Sequence, residues 1–219
     1  MRNWYSGAQA KRYQRRWGTF TKRSLATTLA TLDWQALQRV PERLGRAPHV
    51  LDVGCGTGFL LRRLLERVPE LRACGLDASA DMLAQARLTL RAWPNVELLH
   101  VRVGMGEPNE LPYAPGTFDV ITCTNVLHYL PQPEATLAAL RQLLAPEGQL
   151  ILEDYARRSP PFPWPVFEGL IRCLDAQHLR AYTLSEAHAL TLRAKLPITA
   201  EYAFSITWLW HGWIIRAQG

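Results

Sequence analysis

The sequence predicts a doubly wound α/β fold, a mostly parallel sheet wrapped by helices and closed by a C-terminal antiparallel hairpin. Three observations predict it. Between residues 49 and 154 short apolar strand segments alternate with helical ones. The first strand runs into a glycine-dense turn, LDVGCGTGFL over 51–60. An acid, Asp77, closes the second strand 19 residues past Gly58.

The first 46 residues read as helix and form an expected N-terminal lid. Tyr5, Ala8, Tyr13, Trp17 and Phe20 fall on one stripe, flanked by Arg12, Arg15, Arg16, Lys22 and Arg23. Gly18 predicts a break, with a second helix over 24–44 that ends at Gly45. The sheet domain, 47–219, starts with a strand at 49–53 and a helix at 58–68 stopped by Pro69. Strands follow at 71–76 and 96–103, separated by a helix at 79–92 that Ser79 caps. A β-rich run at 118–123, a helix at 134–144 and a strand at 148–154 complete the alternation. Within this domain 156–197 reads as a cap insertion: the proline-dense connector SPPFPWP, a helix over 166–181, and a helix opened by the capping box Thr183-x-x-Glu186. The runs 198–207 and 208–216 make the hairpin.

Composition narrows the function classes. The chain has 219 residues, 48% hydrophobic and 20% charged, which suits a globular domain. There is no apolar run long enough to span a bilayer and no signal-peptide h-region in the first 23 residues. Cys55, Cys74, Cys123 and Cys173 are scattered without a C-x-x-C pair, so no metal site is expected and reduced thiols in a cytoplasmic setting are. The net charge of +6 sits in the arm: residues 1–46 hold ten Lys/Arg against Asp33 and Glu42, and the remainder sums to −2.

The turn's form selects among ligands. Glycines let the backbone approach a ligand, and the helix that follows offers free N–H groups. A pyrophosphate turn is G-x-G-x-x-G. Here Gly54-x-Gly56-x-Gly58 is followed by Phe59 where a third glycine of that pattern would stand, and Asp52 precedes the turn. An acid there repels a pyrophosphate and suits an ammonium or sulfonium. Asp77 is placed to accept from two ribose hydroxyls. The ligand read from the residues is a nucleoside bearing a cationic amino acid.

LDVGCGTG, GLDASADMLAQAR, ELPYAPGTFDVITCTNVLHYL and LRQLLAPEGQLILEDY together resemble the class I S-adenosylmethionine-dependent methyltransferases, over about residues 48–155. Within them the chain is similar to the small-molecule group that includes the ubiquinone and menaquinone biosynthesis enzymes, and WYSGAQAKRY resembles that group's lid helix. The resemblance implies a seven-stranded Rossmann-like sheet and S-adenosylmethionine as cofactor. It places the methionine part on Asp52, Gly54, Cys55, Gly56 and Gly58, the ribose on Asp77, and the adenine beside Ala78 and Met82. The Asn125 backbone would meet the methionine amine, and Tyr5 and Tyr13 would close over the ligand. The acid that contacts the adenine amine falls on Glu107, with Met105 and Gly106 as alternatives and Arg102 pointed to by a different count. Pro146-Glu147-Gly148 replaces the usual Pro-Gly-Gly.

Methyl transfer is an in-line displacement, so the protein must align the acceptor and exclude water. A hydroxyl acceptor also needs a base, and His128 in VLHYL leads by position. His178, His188 and His211 read as surface or core residues. Tyr155 ends the fifth strand at the ligand edge with Glu153 and Asp154, and the arm and the cap are rich in aromatic side chains, among them Trp4 and Trp164, so the expected partner is an apolar or aromatic small molecule. Three alternatives stand beside this. SPPF at 159–162 matches a base-amine methyltransferase loop, but it follows the fifth strand, whereas that loop must follow the fourth, and the body carries no basic stripe for nucleic acid. The basic arm fits peripheral contact with an anionic membrane, and hence a membrane-lipid acceptor. A non-catalytic S-adenosylmethionine-binding protein would bind without turnover.

Overall fold

The computed structural model describes residues 7–104 and 111–219, with side chains in the first helix described from Gly18 onward. Seven strands form one sheet: β1 His49–Val53, β2 Arg72–Asp77, β3 Glu97–His100, β4 Phe118–Thr124, β5 Leu144–Tyr155, β6 Ile198–Ser205 and β7 His211–Gln218. Their order is β3-β2-β1-β4-β5-β7-β6. β1 pairs in parallel with β2 and β4, β4 with β5, and β7 runs antiparallel between β5 and β6. The order reverses between β1 and β4, so their carboxyl ends open a crevice.

Helices α1 Gly7–Thr31, α4 Phe59–Arg67 and α5 Ala80–Thr89 cover one face; α6 Pro133–Leu143 and α8 Leu184–Arg193 cover the other. Strand alternation decides which residues meet which layer. Leu51, Ile121 and Leu152 pack beneath Leu140 of α6 and Leu190 of α8. Val50, Val120 and Ile151 pack against Leu61, Leu64 and Leu83 of α4 and α5. Two residues further along, the same alternation sends Asp52, Thr122 and Glu153 toward the α1 side and Asp154 away from it.

The N-terminal helices differ from expectation. α1 runs unbroken through Gly18, where a glycine costs about 1 kcal/mol relative to alanine and does not by itself end a helix. The break falls at Asp33 instead. Its Oδ1 accepts from Ala36 N, capping α2 Trp34–Gln38, and the Gln149 side chain accepts from Asp33 N and donates to Asp33 O. α3 Val40–Leu44 follows with a proline in its first turn and ends at Gly45. In the cap, α7 Trp164–Leu174 stops seven residues short of the expected 181. Asp175 ends it by turning its own Oδ1 onto Gln177 N.

The capping box is present: Thr183 Oγ1 accepts from Glu186 N, and Glu186 Oε2 accepts from Thr183 N. Thr183→Ala should cost about 1 kcal/mol in a urea melt. An unchanged midpoint would show that the box does not hold α8. Among the described residues no helix is long and apolar enough to cross a membrane.

Candidate active site

The turn after β1 is built on left-handed backbone at Gly54, Gly56 and Gly58, with φ of +72°, +53° and +78°. Leu76 O accepts from both Gly54 N at 2.7 Å and Cys55 N at 2.9 Å, which folds the turn over the end of β2. A Cβ on Gly54 would sit 2.2 Å from Val126 Cγ2, and one on Gly58 2.9 Å from Leu90 Cδ1. Gly58 therefore lets the start of α4 approach the end of α5 closely.

A cleft of about 890 Å³ opens above this turn and extends under α1 to the cap. It is at the upper end for small-ligand sites, about 300–1,000 Å³. Asp52, Gly54, Cys55, Gly56, Asp77, Ala78, Met82, Asn125, His128 and Tyr155 all line it, as does Arg102. Gly58 sits behind the lining as the N-cap of α4. Trp164 does not line it: it is buried with Phe162 and Phe167 in the cluster that joins the cap to β5. Trp4, Tyr5, Met105, Gly106, Glu107 and the Tyr13 side chain lie outside the described residues. SPPF lies in the connector after β5, and Thr124-Asn125-Val126 holds the position after β4.

Asp77 Oδ2 accepts from Gly56 N and its Oδ1 from Ser79 N, both at 2.8 Å. Burial raises its carboxyl above the ordinary range against the pull of these two N–H groups. Asp52 is 1% exposed and accepts from Thr122 Oγ1 at 2.7 Å. Burial pushes it up to about 7, Thr122 opposes this, and the charge of Asp77 adds to it. Burial also drives the Cys55 thiol well above its usual range, which removes thiolate chemistry there.

The carboxyl end of β5 puts adjacent acids on opposite faces. Glu153 accepts from Ser24 Oγ of α1 at 2.5 Å and from Asn125 Nδ2 at 3.0 Å. Burial lifts it to about 8. Asn125 is left-handed, φ 56°, with its N–H held by Glu153 O. Asn125 Oδ1, Glu153 Oε1 and Thr28 Oγ1 are buried with no partner among the described residues.

On the other face, Asp154 receives His128: its oxygens lie 2.8 and 2.9 Å from Nδ1, and Oδ2 accepts from the His128 N–H. The geometry assigns the ring proton to Nδ1 and leaves Nε2 as the basic atom. His128 sits in the 3-10 turn Leu127–Tyr129, and its carbonyl accepts from Leu179 and Arg180 N, tying the cap to the turn. Its ring packs 4.5 Å from that of Tyr155. Tyr155 Oη lies 2.6 Å from His178 Nδ1, and His178 Nε2 lies 3.0 Å from Glu168 Oε1. His178 is 3% exposed, with polar company that no spacing rule ties to it. Trp210, in the turn between β6 and β7, lines the cleft edge-on to Tyr155. Among the described residues no group of three or more His, Cys, Asp or Glu could hold a metal ion.

A crevice at the sheet's switch point, a glycine turn and an acid ending the second strand define a nucleoside-binding α/β domain. Residues 51–150 match the family model described as a methyltransferase domain. Over that stretch the chain is similar to curated proteins named as methyltransferases. It is 35% identical to the malonyl-[acyl-carrier protein] O-methyltransferase of Halalkalibacterium halodurans over 48% of this chain and 38% of that one. It is 33% identical to the ubiquinone biosynthesis O-methyltransferase of Pseudomonas paraeruginosa over 58% of this chain and 53% of that one. The chain thus spans about two-fifths and half the length of these two curated relatives. The structure of the YcgJ protein from Bacillus subtilis superposes with a TM-score of 0.62 at 19% identity, covering 84% of this chain and 97% of that one. That last likeness bears on the fold alone.

Proposed function

We propose that the chain transfers a methyl group from S-adenosylmethionine to a small acceptor with an apolar or aromatic surface. The observation that carries this is Asp52, a buried carboxyl on the cleft floor beside the glycine turn, with no cationic side chain among its hydrogen-bond partners. A ligand carrying a sulfonium and an ammonium fits that charge. Asn125 Oδ1 and Thr28 Oγ1, without a partner among the described residues and both at the cleft wall, fit a polar ligand as well.

In this reading Asp52 to Gly58 hold the methionine part, Asp77 the ribose, and Ala78 and Met82 the adenine. Asn125 turns its carbonyl toward the amine. The lid, residues 1–46, closes with Tyr5 and Tyr13, and Met105, Gly106 or Glu107 meets the adenine edge. When bound, the cofactor supplies an electrophilic methyl. The protein's part is to orient the acceptor between Tyr155, the cap 156–197 and the arm around Trp4, and to remove a proton where the acceptor needs it, with His128 Nε2 as the candidate base. Trp164 acts by holding the cap onto β5.

Calorimetry tests the ligand assignment. Asp52 is raised above its unfolded value, so its ionised form is disfavoured in the free protein and a bound cation restores it. Binding of S-adenosylmethionine should therefore take up less ionisation free energy as pH rises, and affinity should fall roughly tenfold from pH 8 to pH 6. Asp52→Asn should bind weakly with little pH dependence, which separates this acid from Glu153. A flat profile in the unmodified protein, or tighter binding of NAD(P), would sink the reading. Binding without S-adenosylhomocysteine release across an acceptor panel would favour a non-catalytic protein.

A further inference from the structure

We propose that Tyr155, His178 and Glu168 form a proton relay that serves a hydroxyl acceptor, a phenol or an enol, during methyl transfer. This rests on the methyltransferase reading, narrows its acceptor class, and for a hydroxyl acceptor puts the Tyr155 relay in place of His128 as the base.

The three side chains are joined in sequence by hydrogen bonds that start at the cleft. Tyr155 lines the cleft from the end of β5, His178 stands behind it in the loop after α7, and Glu168 closes the line from α7. Hydrogen-bond chemistry fixes the direction. Glu168 Oε1, which also accepts from Ala181 N, is an acceptor, so His178 Nε2 carries the ring proton. Nδ1 is then the acceptor, and the Tyr155 hydroxyl donates to it at 2.6 Å. The Tyr155 oxygen is thereby turned, with its lone pairs, into a group that can receive a proton as it gives one up.

The surroundings suit a neutral resting state. Burial holds His178 below the ordinary imidazole range, with Glu168 pulling it up and His128 and Arg172 pulling it down. Burial raises the Glu168 carboxyl, but Ala181 N–H, His178 and Arg172 outweigh it and keep it below its usual range. An imidazole that is neutral at pH 7, with a carboxylate behind it, can accept a proton and hold it as a paired imidazolium. His128 meets the Tyr155 ring at 4.5 Å and His178 meets its hydroxyl, so the two histidines engage different parts of one tyrosine. Phe20, Ile171, Leu174 and Trp210 give this end of the cleft the apolar walls an aromatic acceptor needs.

The step balances. The acceptor O–CH₃ bond forms as the sulfonium S–CH₃ bond breaks, and that bond's electron pair stays on sulfur. The acceptor's proton passes to Tyr155 Oη while Tyr155's own proton passes to His178 Nδ1. The imidazolium so formed pairs with Glu168 and later loses its proton to water. An amine or a stabilised carbanion would need none of this.

The test uses the full chain loaded with S-adenosylhomocysteine and 4-nitrophenol as the probe, whose ionisation is read by its visible absorbance. Bound probe should ionise about one pH unit below the free phenol, roughly tenfold in equilibrium, because the relay stabilises the phenolate. Tyr155→Phe and His178→Gln should return the midpoint to that of the free phenol while the probe still binds. Glu168→Gln should give an intermediate value. A merely structural role would change melting temperature and probe affinity but not this midpoint. Tyr155→Phe removes a single oxygen, so it decides the matter if the histidine variant does not fold. No probe binding, an unshifted midpoint, or a shift that survives His178→Gln but is lost in His128→Gln would overturn the relay. Loss of S-adenosylhomocysteine binding by the unmodified protein would instead overturn the methyltransferase reading beneath it.

Discussion

Asp77→Ala should weaken S-adenosylmethionine binding about a hundredfold, ~2.7 kcal/mol. Two losses combine. The first is the charge-assisted pair of bonds to the ribose hydroxyls, each worth about 1.5–3 kcal/mol before the vacated site rehydrates. The second is internal. Asp77 Oδ2 accepts from Gly56 N and Oδ1 from Ser79 N, so the carboxylate ties the glycine turn to the start of α5. Without it the turn must be ordered by the ligand, at the ligand's expense. Calorimetry measures the affinity and a thermal melt the turn's contribution. A large fall in melting temperature with unchanged affinity would leave Asp77 as a turn clamp and remove the ribose assignment. A fall in affinity with a small change in stability supports it.

This double engagement of Asp77 was half visible beforehand. Its place at the end of the second strand follows from apolar periodicity and from a distance along the chain, both local properties. The same holds for the glycine turn, for the Ser79 cap, whose Oγ accepts from Met82 N, and for the Thr183 box. What escaped depends on partners far away in sequence. The helix break at Asp33 is held by Gln149, 116 residues on, while Gly18, the local signal, broke nothing. Glu153 is tied to Ser24 across 129 residues. Nothing in DAQH marks His178 as the partner of Tyr155, because the bond exists only once the cap folds back on β5. Aromatic content pointed Trp164 toward the substrate, but composition cannot tell a cleft wall from the small core behind it. Trp210, in the same hairpin as the fully buried Trp213, reaches the cleft.

Gly54→Ala should destabilise the fold by about 3 kcal/mol, and the cost should divide into two parts that a second substitution can separate. Backbone at φ +72° is left-handed, and holding an L-residue there costs roughly 1–2 kcal/mol. The new Cβ would also stand 2.2 Å from Val126 Cγ2, an overlap that costs about 1–3 kcal/mol to relieve. Val126 has little freedom to retreat. Asn125 before it is left-handed with its N–H held by Glu153 O, and His128 after it is pinned by Asp154. Adding Val126→Ala should therefore recover the overlap cost beyond what the single variants predict, and leave the backbone cost in place. Urea melts of the two single variants and the double give the cycle. Additive effects would mean that the turn and the loop after β4 do not touch as described. A non-additive result would show that the turn after β1 and the loop carrying Asn125 and His128 are set against each other by one missing methyl. In that case no side chain at position 54 is compatible with Val126 held where Asn125 and His128 hold it.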